Sequence, residues 1–112
     1  MNNIDIMKSN FDESRETNSL ATESILSIVD KATSKIIIML ENSGKLMTCG
    51  NGGSSGDAQH IASEFINRFE TERESLAAIS LNSDTATLTS IGNDYGYKYI
   101  FSKQNYFFFA SC

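Results

Sequence analysis

Apolar residues recur at helical spacing through the first third of the chain. Ile25, Ile28, Val29, Ala32, Ile36 and Leu40 draw one stripe along a helix, while Asp12, Glu13, Arg15, Glu16, Asp30, Lys31 and Lys35 decorate its other faces. Two starts fit the pattern: Asn10 with Glu13 as a capping box, or the neighbourhood of Asn18 and Ser19. Ser43-Gly44 ends the helix, because glycine accepts the left-handed conformation found there. The stripe is wide for a lone helix. It fits either a partner helix from another subunit or packing on the chain's own sheet.

The period then shortens. KLMTCG, Lys45 to Gly50, reads as a strand covered on both faces, as in parallel sheets. After the loop Asn51-Gly52-Gly53 comes a helix expected from Ser55 to Arg68, with Ala58, Ile61, Ala62 and Phe65 facing inward. AAISL, Ala77 to Leu81, is a second strand. One helix between two strands makes a βαβ unit with a right-handed crossover. Thr85 to Ile91 reads as helical despite its β-branched residues, and Tyr97 to Gln104 as a short helix or turn. NRFETERESL, Asn67 to Leu76, has charges of both signs and no apolar period, so it reads as a solvated connection. Arg68, one helical turn after Glu64, is its exception as a ligand contact. Gly92 and Gly96 bracket a turn around Asn93-Asp94, and Tyr95, Tyr97 and Tyr99 read as packing residues.

Bulk properties narrow the class. With 112 residues the chain is one domain at most, and 40% hydrophobic with 21% charged residues is ordinary for a globular protein. The net charge of -5 argues against a nonspecific grip on nucleic acid. No apolar run approaches a membrane helix, and the first residues lack the basic start and apolar stretch of a secretory signal, so the expected location is cytoplasmic. Cys49 and Cys112 fit no metal spacing and no disulfide framework; Cys49 reads as a small buried residue at a strand end.

The chemistry concentrates in CGNGGSSGDAQHIASEF. A strand runs into a Gly-rich loop, and a helix starts directly after it. Glycines let a ligand approach backbone N–H groups, and the helix N-terminus adds positive partial charge. Ser54 and Ser55 can cap the helix or offer hydroxyls to a sugar or phosphate. The loop is neither GxGxxG nor a P-loop, so its physical reading is an anionic or polyhydroxylated ligand, against a purely structural turn. On the helix, His60 and Glu64 stand at i and i+4 with Asp57 one turn before. Glu64 could move a proton next to a carbonyl, and His60 with Glu64 could hold two positions of a metal shell. The plain alternative is a solvated glutamate beside a satisfied histidine.

Taken together, CGNGGS, DAQH, the glutamate four residues after that histidine, NRF and IGNDYGY resemble the phosphoheptose isomerases of the SIS superfamily over Lys45 to Gln104. The resemblance implies the N-terminal part of a flavodoxin-like α/β SIS domain: a helical segment at 1–44, half of the SIS domain at 45–104, and an apolar tail at 105–112. It implies a ketose–aldose isomerisation of sedoheptulose 7-phosphate to D-glycero-D-manno-heptose 7-phosphate through an enediol, supplying surface glycans such as lipopolysaccharide. Asn51, Gly52 and Gly53 are then substrate contacts with Ser54 nearby. Glu64 is the proton-moving carboxylate, His60 and Glu64 are two zinc ligands, and Asn93 and Asp94 are further substrate contacts. Family members are homotetramers with shared sites.

The family continues with a third strand, a Ser/Thr-rich phosphate loop, and a later Gln and His. None of these follows here, His60 is the sole histidine, and NYFFFASC is unlike the family's continuation. A frameshift or early stop is the expectation, and with it an inactive chain that is not a stable monomer. INRFETERESL also resembles the SIS-domain scaffolds that associate with the replication initiator DnaA, whereas Glu64 and Asn93-Asp94-Tyr95-Gly96 favour the isomerase.

Overall fold

A computed structural model describes residues 2–110 and divides the chain into two units, one up to Ile37 and one from Ile38. The first unit is the body of α1, Asn3–Glu41. Its start lies well ahead of Asn10. The Asn2 side-chain oxygen accepts from the Asp5 amide at 2.9 Å, and the Asp5 carboxylate accepts from the Asn2 amide at 3.2 Å. That is a reciprocal cap of the capping-box kind, built from Asn and Asp. The Asn18 side chain instead donates back to the Ser14 carbonyl at 2.9 Å, a bond made inside a helix. No residue of α1 is buried, and Ile25, Ile28 and Val29 are 45%, 64% and 48% exposed.

The helix ends as expected, with the roles of its two last residues exchanged. Ser43 adopts the left-handed conformation at φ 59°, and the Gly44 amide reaches the Met39 carbonyl at 2.8 Å. Gly44 is needed for space, because a Cβ there would stand 2.7–2.8 Å from Met39 atoms.

In the second unit the βαβ reading holds. β1, Leu46–Thr48, pairs in parallel with β2, Ala78–Ser80, in the register Leu46–Ala78, Met47–Ile79 and Thr48–Ser80. The connecting helix α2, Gly53–Ile66, lies against both strands, and the Thr48 hydroxyl donates to the Ala58 carbonyl at 2.7 Å. Ala58 and Ala62 are buried there, so α2 approaches the sheet through small residues. Phe65 is half-buried, but Ile61 is 49% exposed and is not part of the inward face. α2 also stops at Ile66, which leaves Arg68 beyond the helix rather than one turn along it.

After β2 come α3, Thr85–Asp94, a 3₁₀ turn at Tyr97–Tyr99, and α4, Ser102–Ala110. Asp84 caps α3, accepting from the Thr87 amide at 3.0 Å and the Thr87 hydroxyl at 2.6 Å. The boundary expected at 104/105 falls within α4. Gln104 is buried and donates to the Leu81 carbonyl at 3.0 Å and the Ile100 carbonyl at 2.8 Å, while Leu81 and Ile100 supply buried apolar surface. Cys49, expected to be buried, is exposed, because β1 closes its ladder at Thr48 and the chain turns outward into the loop. Cys112 lies outside the described residues. Among the described residues, no helix is long and apolar enough to cross a membrane.

Candidate functional site

The loop between β1 and α2 is held by contacts from distant parts of the chain. Asn82, just past β2, closes a two-bond ring on Gly50: its side-chain oxygen accepts from the Gly50 amide at 2.9 Å, and its side-chain nitrogen donates to the Gly50 carbonyl at 2.9 Å. Both hydrogen-bonding groups of Gly50 are thereby satisfied by one amide. A Cβ on Gly50 would come within 2.3 Å of the Ser54 carbonyl oxygen, so the loop folds back on the helix start as only glycine permits. Gly52 has φ 57° and ψ −126°, a left-handed turn that also favours glycine.

At the other side the Tyr97 hydroxyl donates to the Asn51 side-chain oxygen. Tyr97 thus lines the candidate site, contrary to its reading as packing, and the residue is 65% exposed. The result is a cleft of about 330 Å³ lined by Gly50, Asn51, Gly52, Ser55, Asn82, Leu88, Thr89, Gly92, Tyr97 and Ile100. The two serines do not cap α2. Gly52 is the cap residue and no side chain caps the helix amides there, while the Ser55 hydroxyl donates to the Gly52 carbonyl at 2.7 Å. The first turn of α2 carries no acidic residue, so no carboxylate of its own offsets its positive end.

Further along α2, His60 and Glu64 meet as their spacing predicts. His60 Nε2 and Glu64 Oε1 are 3.1 Å apart, with the side chains 75% and 36% exposed. Asp57, one turn earlier, is exposed. These two donors are half or fewer of the ligands zinc usually takes, and no group of three His, Cys, Asp or Glu side chains gathers for a metal among the described residues. The pair fits part of a zinc shell and does not make one alone.

The other expected contacts are not part of the cleft's wall. Gly53, Ser54, His60, Glu64, Arg68, Asn93 and Asp94 do not line it. Arg68 pairs with Glu72 at 3.5 Å on the surface, and the Asn93 side chain donates to the Asp94 carboxylate at 2.9 Å at the end of α3. A larger cleft of about 420 Å³ between the end of β2, α3 and α4 contains none of the residues singled out from the sequence as ligand contacts.

The segment after α2 is more than a solvated connection. Arg73 is half-buried and turns back to the helix, donating to the Glu64 carbonyl at 2.5 Å and the Phe65 carbonyl at 2.9 Å. Sequence reasoning missed Arg73, Asn82 and Tyr97. The one available signal was a basic residue shortly after a helix end, where free carbonyls attract a cation.

The SIS domain family matches residues 11–108. The chain is 50% identical over 101 residues to the phosphoheptose isomerase of Alteromonas mediterranea, covering 90% of this chain and 51% of that protein. To the phosphoheptose isomerase of an Azoarcus species it is 47% identical over 104 residues, covering 93% and 53%. Among solved structures, a phosphoheptose isomerase from Francisella tularensis superposes with a TM-score of 0.87 at 39% identity, covering 93% of this chain and 55% of that one. The enzyme of the same name from Neisseria gonorrhoeae gives 0.81 at 39% identity, covering 89% and 51%. The chain spans about half the length of the curated relatives it matches.

Proposed function

The chain belongs to the SIS domain family, and from that premise we propose that it carries the loop-and-helix portion of a phosphoheptose isomerase site. The observation that carries the reading is the His60–Glu64 pair, 3.1 Å apart, on the helix that leaves a Gly-rich cleft. In the proposed reaction Glu64 takes a proton from C1 of sedoheptulose 7-phosphate. The C1–H electron pair becomes the C1–C2 double bond of an enediol as the C2 carbonyl pair moves onto O2, which takes up a proton. Glu64 then returns its proton to C2 while the C1 hydroxyl gives up its own, in exchange for the one O2 gained, and becomes the carbonyl of the aldose. A positioned base of this kind contributes about 10²–10⁴-fold. Asn51, Gly52 and Gly53, with Ser54 nearby, present amide groups to the hydroxyls of the sugar, and Arg68, Asn93 and Asp94, which do not line the cleft, are further contacts that the isomerase lineage implies.

His60 and Glu64 would supply two of the ligands of a zinc ion, which when bound polarises substrate oxygens. Among the described residues no third His, Cys, Asp or Glu gathers with His60 and Glu64 as a metal shell, and this chain alone is expected not to turn substrate over. The same reading carries assembly of several copies, cytoplasmic location, and supply of heptose for surface glycans.

The test is titration of isotope-labelled chain with sedoheptulose 7-phosphate. Shifts should concentrate at Gly50–Ser55 and Asn82, and Glu64→Gln should retain that binding within a few-fold. Loop amides unmoved at about 10 mM, where even a site worth about 3 kcal/mol would register, refute the proposal. A chain inert to the sugar phosphate that retains the replication initiator in a pull-down would move the reading to the scaffold branch.

A further inference from the structure

The last turn of α2 has carbonyls with no partner further along the helix. The Ser63 carbonyl is met by the Asn67 amide at 2.8 Å. The next two are met by one side chain: Arg73 Nη2 donates to the Glu64 carbonyl at 2.5 Å and Nη1 to the Phe65 carbonyl at 2.9 Å, with a further bond from Nη1 to the Glu74 carbonyl at 2.9 Å. The Leu76 amide adds a second bond to the Phe65 carbonyl at 3.0 Å. A guanidinium presents rigid, coplanar donors, and a cation at this end of a helix opposes the macrodipole. Ala62 and the half-buried Phe65 seat this turn, to which Ile61 and Ile66, 49% and 48% exposed, add little. The tie from Arg73 adds to that seating by holding the carbonyls at the helix end.

We infer that Arg73 is a positioning residue for the Glu64 carboxylate: by tying the Glu64 and Phe65 carbonyls together it fixes the turn from which Glu64 reaches His60. The inference rests on the isomerase reading for its catalytic meaning, while the positioning itself is measurable without substrate. A lysine at the same place keeps the charge and loses the fork, so it separates geometry from electrostatics.

The experiment uses the single histidine as the reporter. In the intact chain, Glu64→Gln should shift the His60 ring resonances in NMR spectra. With Arg73→Lys as background that response should fall at least two-fold, while far-ultraviolet circular dichroism stays that of the parent. In the parent, the Arg73 guanidinium protons should show hindered rotation and slow exchange. An undiminished His60 response in a folded Arg73→Lys or Arg73→Met chain overturns the inference. So does a freely rotating Arg73 guanidinium in the parent, which is decisive even where neither variant folds. A chain that shows the Arg73 dependence yet ignores sedoheptulose 7-phosphate keeps the positioning role and removes the isomerase reading; the converse result removes the positioning role alone.

Discussion

Tyr97 and Asn51 lie 46 positions apart and meet through one hydrogen bond, so the phenol decides where the Asn51 amide points. Tyr97→Phe leaves the ring and removes the donor. Since such a bond contributes about 0.5–1.5 kcal/mol net, sedoheptulose 7-phosphate should bind about 2–10-fold more weakly, which calorimetric titration can read. Equal affinity in the Phe variant would show that Asn51 is held by other means. Asp84 gives a prediction in pH. The hydrogen bond from the Thr87 hydroxyl, and then that from the Thr87 amide, hold its carboxyl below the ordinary range. A depressed folded-state pKa means that the stabilisation is fully present above the unfolded value of about 3.9 and is lost as pH falls through the folded value. The melting temperature should therefore drop below about pH 4. In Asp84→Asn that acid-dependent part should shrink, and an unchanged acid profile would remove the cap from the explanation.

At the scale of elements, the turn from β1 into α2 depends on glycine unequally. Gly50→Ala drives a Cβ to 2.3 Å from backbone and should cost on the order of 1–3 kcal/mol or more, as overpacking does. Gly56 sits inside α2, where an added Cβ would meet nothing within 4 Å, so Gly56→Ala should stabilise by about 0.5–1 kcal/mol. Urea melts of the two variants check both signs, and a stabilised Gly50→Ala would mean the loop is not folded back on Ser54. These contrasts also mark what could be read from the sequence. Periodicity gave the helices and the parallel strand pair, and i,i+4 spacing gave His60 with Glu64, because those signals are local. Asn82 on Gly50 and Tyr97 on Asn51 carry no local pattern, since each is a polar side chain whose partner is a distant group fixed only by the fold, and Arg73 on Glu64 left only the signal of a cation after a helix end. Ile61 failed for a related reason. The face of α2 that meets the strands is narrow and made of alanine, so apolar character alone overstates its width.

For the whole molecule, buried apolar surface is scarce among the described residues: Ala58, Ala62, Leu81 and Ile100. A pair of three-residue strands is marginal without cover, and the apolar stripe of α1 is open to solvent along Ile25, Ile28 and Val29. Association of copies should therefore contribute to stability, and the melting temperature should rise with protein concentration. Light scattering should give a mass above the 12.3 kDa of one chain. A monomer with a concentration-independent, cooperative melt would contradict this. The Asn82 ring on Gly50 bears on how the protein is made. Synthesis is vectorial, at about 5–20 residues per second, so the ribosome releases Gly50 well before the amide that fastens it. Until Asn82 has cleared the exit tunnel, nothing fastens Gly50, and the glycine-rich loop has no enforced shape. A nascent chain halted just short of that point should ignore sugar phosphate, and one extended until Tyr97 and Ile100 have also emerged to complete the cleft should begin to respond, so that ligand recognition is acquired at a definite moment in translation.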